Sequence, residues 1–221
     1  NAVVRTARRA CPKTTHCGHS PHRPSHDDGG ERMSVVSIVS AERERYARYF
    51  EDAFENVRSG NSQCARELLI AINNEALPYP YRYLRLDAVE KQPDGTDRHY
   101  EFWLDPSQDA EARGFQLGAV AVEIYPFTWC GTQVAFDRAP DTGKLEAFLT
   151  AWLDTSDANL REPSGPANAI HSASPIETNG ELSYLTIDFG TASADALLDL
   201  IDFLGNEGAD RIIIVSHARE G

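Results

Sequence analysis

Hydrophobic and polar residues follow two different periods in the C-terminal part of the chain. Residues 182–189 alternate apolar and polar side chains, which predicts a half-buried strand because successive strand residues point to opposite faces. Apolar residues at helical spacing follow Gly190 and predict an amphipathic helix that ends at Gly205. The nearly continuous apolar run at 211–216 predicts a second strand, covered on both faces. Strand, helix and strand together predict a parallel, right-handed β-α-β crossover unit.

Two helical patterns are predicted near the start of the apolar sequence. Residues 46–57 repeat apolar side chains at three- and four-residue steps after Ser40, a good N-cap residue. Residues 65–72 show a second helical pattern, and we expect the two helices to pack as an antiparallel pair. The short apolar stretch at 34–39 is interpreted as a strand or an N-terminal staple.

A run of strands is predicted between these helices and the C-terminal unit. A Pro-Asp-Gly turn at 93–95 joins the first two strands as a β-hairpin. A helix with a clear apolar stripe is predicted at 145–153. The four predicted strands are residues 81–89, 99–104, 115–125 and 128–136. The predicted fold is therefore α+β, with a helix pair, a mainly antiparallel sheet of four or more strands and a C-terminal β-α-β crossover unit.

The first 32 residues differ in composition from the rest. Residues 1–32 lack apolar periodicity, and the single methionine, Met33, directly precedes the apolar sequence. We interpret 1–32 as a non-native or disordered extension. Residues 33–221 are predicted to form a single α+β domain, which can be subdivided near the polar stretch at 155–166.

Cysteine and histidine residues in the extension are of the types that bind zinc, but their spacing is not that of a zinc module. The pattern is Cys11-x5-Cys17-x-His19. The chain also lacks the common phosphate-binding, dinucleotide-binding, nucleophile-elbow and zinc-protease motifs. We therefore expect no metal site and no cofactor.

The charge of the chain is strongly negative outside the extension. The protein has 21 Lys and Arg against 34 Asp and Glu, and residues 1–32 hold six and three of these. Residues 33–221 thus carry 15 against 31, a net charge of −16. Such a surface repels nucleic acid and anionic membranes and favours a basic protein partner. No apolar run is long enough to span a bilayer and no signal peptide is visible, so we expect a cytoplasmic protein.

Cys64 and Cys130 are the cysteines of the main domain. Two cysteines do not make a disulfide framework, which favours a reducing compartment. We expect Cys64 on a helix and Cys130 in a strand, both as buried thiols rather than nucleophiles. The oligomeric state is left open.

Three groups of side chains are candidates for chemistry or binding. The carboxyl ends of the two C-terminal strands carry Asp188, Ser216 and His217, and if these strands are neighbours Asp188 can orient His217 as a general base. His99, Glu101 and Trp103 share one face of a predicted strand, as either an acid–base pair or an ordinary polar face. Aromatic side chains form the third group. The candidate binding residues are Tyr81, Tyr83 and Trp103.

Two classes of function therefore remain. The first is an acidic interaction protein that binds a basic protein partner. The size, acidity and α+β plan of the chain resemble those of small acidic bacterial binding proteins such as secretion chaperones and toxin-immunity proteins. The alternative is an enzyme or small-ligand binder with its site at the carboxyl ends of the C-terminal strands, so the sequence leaves open whether the protein is an enzyme.

Overall fold

A computed structural model describes residues 34–60, 63–156 and 166–217 of the 221-residue chain. The helices of this part are α1 (Val35–Gly60), α2 (Thr142–Leu153) and α3 (Asp195–Asn206), with a short 3-10 helix at Trp129–Gly131. The strands are β1 (Cys64–Ala71), β2 (Tyr83–Lys91), β3 (Asp97–Tyr100), β4 (Arg113–Leu117), β5 (Val120–Ile124), β6 (Thr132–Phe136), β7 (Ser172–Ala173), β8 (Glu177–Asn179), β9 (Leu182–Asp188) and β10 (Arg211–Ser216).

The strands form two sheets. The smaller sheet has the order β1-β2-β3, and the larger one has the order β4-β5-β10-β6-β9-β7, with β8 also paired to β9. Within the described residues β5 and β10 are the one parallel pair, and every other pairing is antiparallel. One continuous buried cluster contains residues of both sheets and of the three helices. The predicted α+β class with a mainly antiparallel sheet is confirmed.

Helix α1 begins earlier than predicted. The stretch at 34–39, interpreted as a strand or staple, is its first turn and a half, and Ser34 rather than Ser40 caps it by accepting a hydrogen bond from the backbone N–H of Ser37 at 3.1 Å. The reason is that Val35 and Val39 extend the same buried stripe as Tyr46. Burial on that stripe outweighs the strand preference of β-branched side chains.

The prediction of a second helix at 65–72, packed against the first as an antiparallel pair, is wrong. Residues 64–71 form β1, which pairs with β2 from Cys64 to Ala71 except at Glu67, so Cys64 lies on a strand. Short apolar runs fit both periods, and here the antiparallel pairing with β2 decides between them. The predicted hairpin around 93–95 is confirmed, because β2 and β3 are antiparallel neighbours.

The C-terminal β-α-β unit is present as β9, α3 and β10. Both strands are antiparallel to β6, which lies between them, so they are parallel to each other but are not neighbours. Helix α3 continues one residue past Gly205, and the glycine with a positive φ (95°) is Gly208. The strand order could not be read from the sequence, because a crossover of this length can skip one strand.

One face of the larger sheet is covered by helices. Cross-strand partners place Leu185, Val134 and Ile214 side by side on this face, and all three are buried. Helix α3 packs closely here, since a methyl group added at Gly205 would lie 2.9 Å from the Val120 side chain. The face is therefore part of the hydrophobic core.

The other two helices frame the rest of the core. Phe148 of α2 stacks on Phe203 of α3 with ring centroids 5.3 Å apart. On the opposite side, Phe50 of α1 makes edge contacts with Phe102 at 5.4 Å and with His171 at 6.0 Å. Helix α1 thus packs where the two sheets meet.

Two predictions concern residues outside this description. The extension at 1–32 lies outside the described residues, as does most of the polar stretch at 155–166. None of the helices in the described part combines the length and the apolar composition needed to cross a membrane.

Candidate functional site

His171 connects the two sheets. Its carbonyl accepts a hydrogen bond from the backbone N–H of Arg85 on β2 at 2.8 Å, and its own N–H donates to the carbonyl of Asp188 on β9 at 2.8 Å. The imidazole ring is 1% exposed. A histidine buried at a junction of strands must find partners for both ring nitrogens, because an unpaired buried polar atom is costly.

Two buried carboxylates lie against the His171 ring. Nε2 is 3.2 Å from Oε1 of Glu67, and Nδ1 is 2.8 Å from Oδ1 of Asp87. The first contact has hydrogen-bond geometry. The contact between Asp87 Oδ1 and His171 Nδ1 is short but lacks hydrogen-bond geometry. Neither of these two atoms therefore has a hydrogen-bond partner among the described residues. The other oxygen of Asp87 accepts from the backbone N–H of Phe102.

Glu67 reaches the histidine because its backbone leaves the ordinary strand conformation. It lies in the middle of β1 with a φ of 50°, in the left-handed region that costs a non-glycine residue about 1–3 kcal/mol. Its carboxylate accepts hydrogen bonds from the Thr191 hydroxyl and from the backbone N–H of Ala167 at 2.8 Å. The strained backbone is thus held by a fully bonded side chain.

Gly190 provides the space for the ring. It has a φ of 49°, and a methyl group added there would lie 2.0 Å from Cδ2 of His171. Any side chain at this position would collide with the ring, so both the conformation and the space require glycine.

Asp188 completes the group. One donor atom each from Asp87, His171 and Asp188 lie within 4.8 Å of one another. Asp188 Oδ1 accepts a hydrogen bond from the N–H of Gly190 at 2.9 Å, and its side chain is partly exposed. We call Glu67, Asp87, His171 and Asp188 the buried ionic cluster.

The charges of the cluster depend on one another. Burial alone would lower the pKa of His171, but the contacts with Asp87 and Glu67 outweigh it and raise this pKa to about 10. Burial would likewise raise the pKa of Glu67, but the hydrogen bond from His171 and that from Thr191 keep it below its ordinary value. For Asp188, burial dominates and raises the pKa to about 7, against the opposing effect of His171.

Tyr46 of α1 is a fifth polar residue in this region. Its side chain is 1% exposed, and its hydroxyl has no hydrogen-bond partner among the described residues. Burial, followed by the negative charges of Asp87 and Asp188, raises the pKa of Tyr46 well above its ordinary value. The hydroxyl is therefore neutral.

The predicted Asp188, Ser216 and His217 group is not brought together. Ser216 and Ile187 are both cross-strand partners of Thr132, so they share the helix-covered face, and Asp188 points to the opposite face. Strand β6 separates β9 from β10 by two strand spacings, about 10 Å. His217 is exposed, whereas Asp188 lies beside His171.

The predicted aromatic binding residues do not form one surface either. Tyr81 is 8% exposed and belongs to the core. Tyr83 is partly buried and makes an edge contact with Tyr79 at 5.5 Å. Trp103 packs over Gly131, where an added methyl group would lie 2.4 Å from the indole, and its Nε1 donates to Asp105.

The two cysteines of the domain are free thiols. Cys130 is buried in the 3-10 helix and not in the predicted strand, and burial raises its pKa to about 12. Cys64 is partly exposed on β1, where desolvation raises its pKa as well. Neither environment favours the thiolate that a nucleophile requires.

A second feature lies on the outer side of α3. Asp195, Asp199 and Asp202 are exposed at intervals of four and three residues, which places them on one face of the helix. Partial desolvation, followed by the charges of Asp195 and Asp202, raises the pKa of Asp199. We call these three residues the acidic row, and in the described part of the chain none of them forms a salt bridge.

A shallow groove runs beside the acidic row, between α3 and the β4–β5 turn. We call it the α3 groove. The residues that line it are Leu117, Ala119, Val120, Ile201, Asp202, Gly205 and Asn206. Its wall includes Leu117, one of the few large apolar side chains that are well exposed (38%).

Comparisons with known proteins give no relative for this arrangement. No family model matches the chain, no curated protein matches it, and no solved structure matches its fold.

Sequence reasoning missed most of the buried ionic cluster. Glu67 lies in the stretch predicted to be a helix, and Asp87 lies in the predicted strand at 81–89. The available signal was Arg85 and Asp87 in the middle of that strand, on either side of Leu86, since two charged residues there require either solvent or buried partners. His171 carried no comparable signal.

Proposed function

We propose that the protein binds a basic segment of a partner protein through the acidic row and the α3 groove. The observation that carries this proposal is the set of three exposed carboxylates on neighbouring turns of α3, without a salt bridge in the described residues. Like charges at this spacing destabilise a helix by a few tenths of a kcal/mol per pair, about 0.2–0.5. Binding of a Lys- or Arg-rich ligand would replace the repulsion between these carboxylates by attraction to the ligand.

Acidic side chains elsewhere in the described residues are neutralised within the protein. Lys144 contacts Glu207, next to the C-terminal end of α3, at 2.7 Å, and Arg211 contacts Glu123, on the opposite face of the sheet, at 2.8 Å. The acidic row differs from these pairs, and Asp202 even lies in the C-terminal half of α3, where the helix dipole disfavours negative charge. A cation from a partner is the arrangement that best fits this surface.

The α3 groove gives the contact an apolar component. Leu117, Val120 and Ile201 line the groove next to Asp202. A ligand with an aliphatic side chain beside basic residues would place the first in the groove and the second against the row. Long-range attraction increases the association rate, whereas the groove contributes specificity.

The charge of the chain and the chemistry of its thiols bear on the kind of partner and on the compartment. With a net charge of −16 for residues 33–221, nucleic acid and anionic lipid are unfavourable partners. The free thiols of Cys64 and Cys130 are consistent with a reducing cytoplasm. A binding role of this kind resembles that of acidic chaperones and immunity proteins, by analogy of size and charge alone.

Affinity capture with the purified protein, followed by binding measurements on each captured protein, tests the proposal. A partner should bind the wild type, and the D195N/D199N/D202N variant should bind it roughly ten-fold more weakly. The matched control is E75Q/D109N/E181Q, which removes three exposed charges elsewhere. It should bind as the wild type does.

Salt and groove substitutions separate the two components. Affinity should fall as ionic strength rises, because exposed charges are screened. The L117S variant should weaken binding without altering its salt dependence. A partner that binds all variants equally, or whose affinity is insensitive to salt, would contradict the proposal.

A further inference from the structure

We propose that Asp87, His171 and Asp188 form a binding site for a divalent transition-metal ion of the Mn²⁺ or Zn²⁺ type. The site is independent of the acidic row and of the α3 groove. It would connect β2, the segment before β7, and β9, which are the elements at which the two sheets meet.

The first argument is the geometry of the closest pair. Asp87 Oδ1 and His171 Nδ1 lie 2.8 Å apart without hydrogen-bond geometry, so the ring N–H direction and the oxygen do not point at each other. Two donors bound at about 2.0–2.2 Å to one ion lie roughly 3 Å apart when they are at right angles, as in octahedral coordination. The pair has nearly this spacing, and one donor atom of Asp188 lies within 4.8 Å of both.

The second argument is the partner of the other ring nitrogen. Metal-binding histidines almost always donate their remaining N–H to a carboxylate or carbonyl, which fixes the tautomer and the ring orientation. His171 Nε2 lies 3.2 Å from Oε1 of Glu67 in hydrogen-bond geometry. Glu67 is itself fixed by Thr191 and Ala167. The strained φ of 50° at Glu67 is explained by this supporting role.

The third argument is the unpartnered hydroxyl of Tyr46. A fully buried phenol without a hydrogen bond is unfavourable, and this one is close enough to Asp87 and Asp188 to experience their charges. A water bound to an ion held by these carboxylates would give the hydroxyl a hydrogen-bond partner. The buried atoms without a partner therefore come from α1, β2 and the segment before β7.

The donor set determines the class of ion. One imidazole nitrogen with two carboxylate oxygens suits Mn²⁺, Fe²⁺ or Zn²⁺, whereas Ca²⁺ prefers six to eight oxygens. The ion would replace the proton on His171 Nδ1, which is released to solvent on binding. Two aspartates then balance the charge of a divalent ion. Access is from the side of Asp188, whose side chain is partly exposed.

The experiment uses the full chain and removes one competing source of ligands. Because residues 1–32 contain cysteines and histidines, those side chains are substituted in every protein compared. The substitutions are C11S, C17S, H16Q, H19Q, H22Q and H26Q. Mn²⁺ and Zn²⁺ are titrated by calorimetry after chelator treatment, with Ca²⁺ as the comparison ion, and bound Mn²⁺ is followed by electron paramagnetic resonance.

We expect one Mn²⁺ or Zn²⁺ per chain with micromolar affinity, and no binding of Ca²⁺ under the same conditions. The D188N variant removes the partly exposed ligand and should weaken binding by at least about ten-fold while the fold, checked by circular dichroism, is retained. E67Q removes a positioning residue and should weaken binding about 10- to 100-fold without abolishing it. H217Q, an exposed histidine outside the site, should have no effect.

Y46F gives a test that is independent of the carboxylates. Loss of the hydroxyl should change the resonance spectrum of bound Mn²⁺ and leave the fold intact. The proposal is overturned if the background protein binds no metal up to about 1 mM, or if D188N and H217Q bind it equally. The first of these results would define the cluster as a purely structural set of ion pairs.

Discussion

Replacing His171 by leucine tests whether the buried ionic cluster holds the two sheets together. The histidine is 1% exposed and contacts the carboxylates of Glu67 and Asp87, which are 4% and 3% exposed. Leucine has a similar volume but no charge, so the H171L variant leaves two buried carboxylates without their cation.

The loss of stability in H171L can be estimated in two ways. Removing one partner of a buried ion pair costs about 3–5 kcal/mol. A histidine pKa of about 10 in the folded protein, against about 6.5 in an unfolded chain, corresponds to about 5 kcal/mol. Burial of the leucine side chain offsets about 1.5–3 kcal/mol. With the central values of about 4 kcal/mol for the cost and about 2 kcal/mol for the offset, we expect the free energy of unfolding to fall by about 2 kcal/mol.

The measurement is urea unfolding at pH 6, followed by circular dichroism in the presence of a chelator. The sign of the pH dependence follows from the raised pKa. The stabilisation is fully present below about pH 6.5 and is lost as pH rises through about 10, so the difference between H171L and wild type should narrow over that window. H217L is the matched control, and it should change stability by less than about 0.5 kcal/mol.

A rescue experiment separates the ionic explanation from a packing defect. In E67Q/D87N/H171L the two carboxylates are neutral, so this variant should be more stable than H171L alone. A loss below about 1 kcal/mol in H171L, or a triple variant no more stable than H171L, would refute the reasoning.

Three further predictions follow from individual residues. G190A should destabilise the protein by at least about 2 kcal/mol in urea unfolding, because the methyl group meets the His171 ring at 2.0 Å in a positive-φ conformation, whereas G95A, with open space, should cost less. Cys130 should not react with a thiol reagent at pH 8 in the folded protein, and rapid labelling mapped to Cys130 by mass spectrometry would contradict its burial. Deletion of residues 1–32 should leave the melting temperature within about 2 °C, and a larger loss by calorimetry would assign them to the domain.

The sequence determined the elements with long and consistent patterns. The alternation at 182–189, the apolar run at 211–216 and the helical stripe at 145–153 each correspond to an element of the structure, because burial on one face fixes the period of the side chains. The Pro-Asp-Gly turn at 93–95 likewise specified a hairpin through its backbone preferences. The α+β class follows from these elements together.

Tertiary structure alone decided the assignments that depend on a distant partner. The stretch predicted as a helix at 65–72 is strand β1 instead, because β2 pairs with it in one antiparallel register on both sides of Glu67. Strand β6 lies between β9 and β10, so Asp188 and Ser216 face opposite sides of the sheet, and Asp188 finds His171 instead of His217. Strand order is a property of packing between segments far apart in the chain, and a local period contains no information about it.

The buried ionic cluster likewise depends on tertiary contacts rather than on a local sequence pattern. Each member alone is an ordinary polar residue on a strand or loop, and only the meeting of the two sheets removes Glu67, Asp87 and His171 from water together. The acidic row, in contrast, was already apparent from the outward spacing of Asp195, Asp199 and Asp202, because a surface helix exposes its polar face wherever the core lies. Exposed features follow from the local period, whereas buried polar contacts are fixed only by the complete fold.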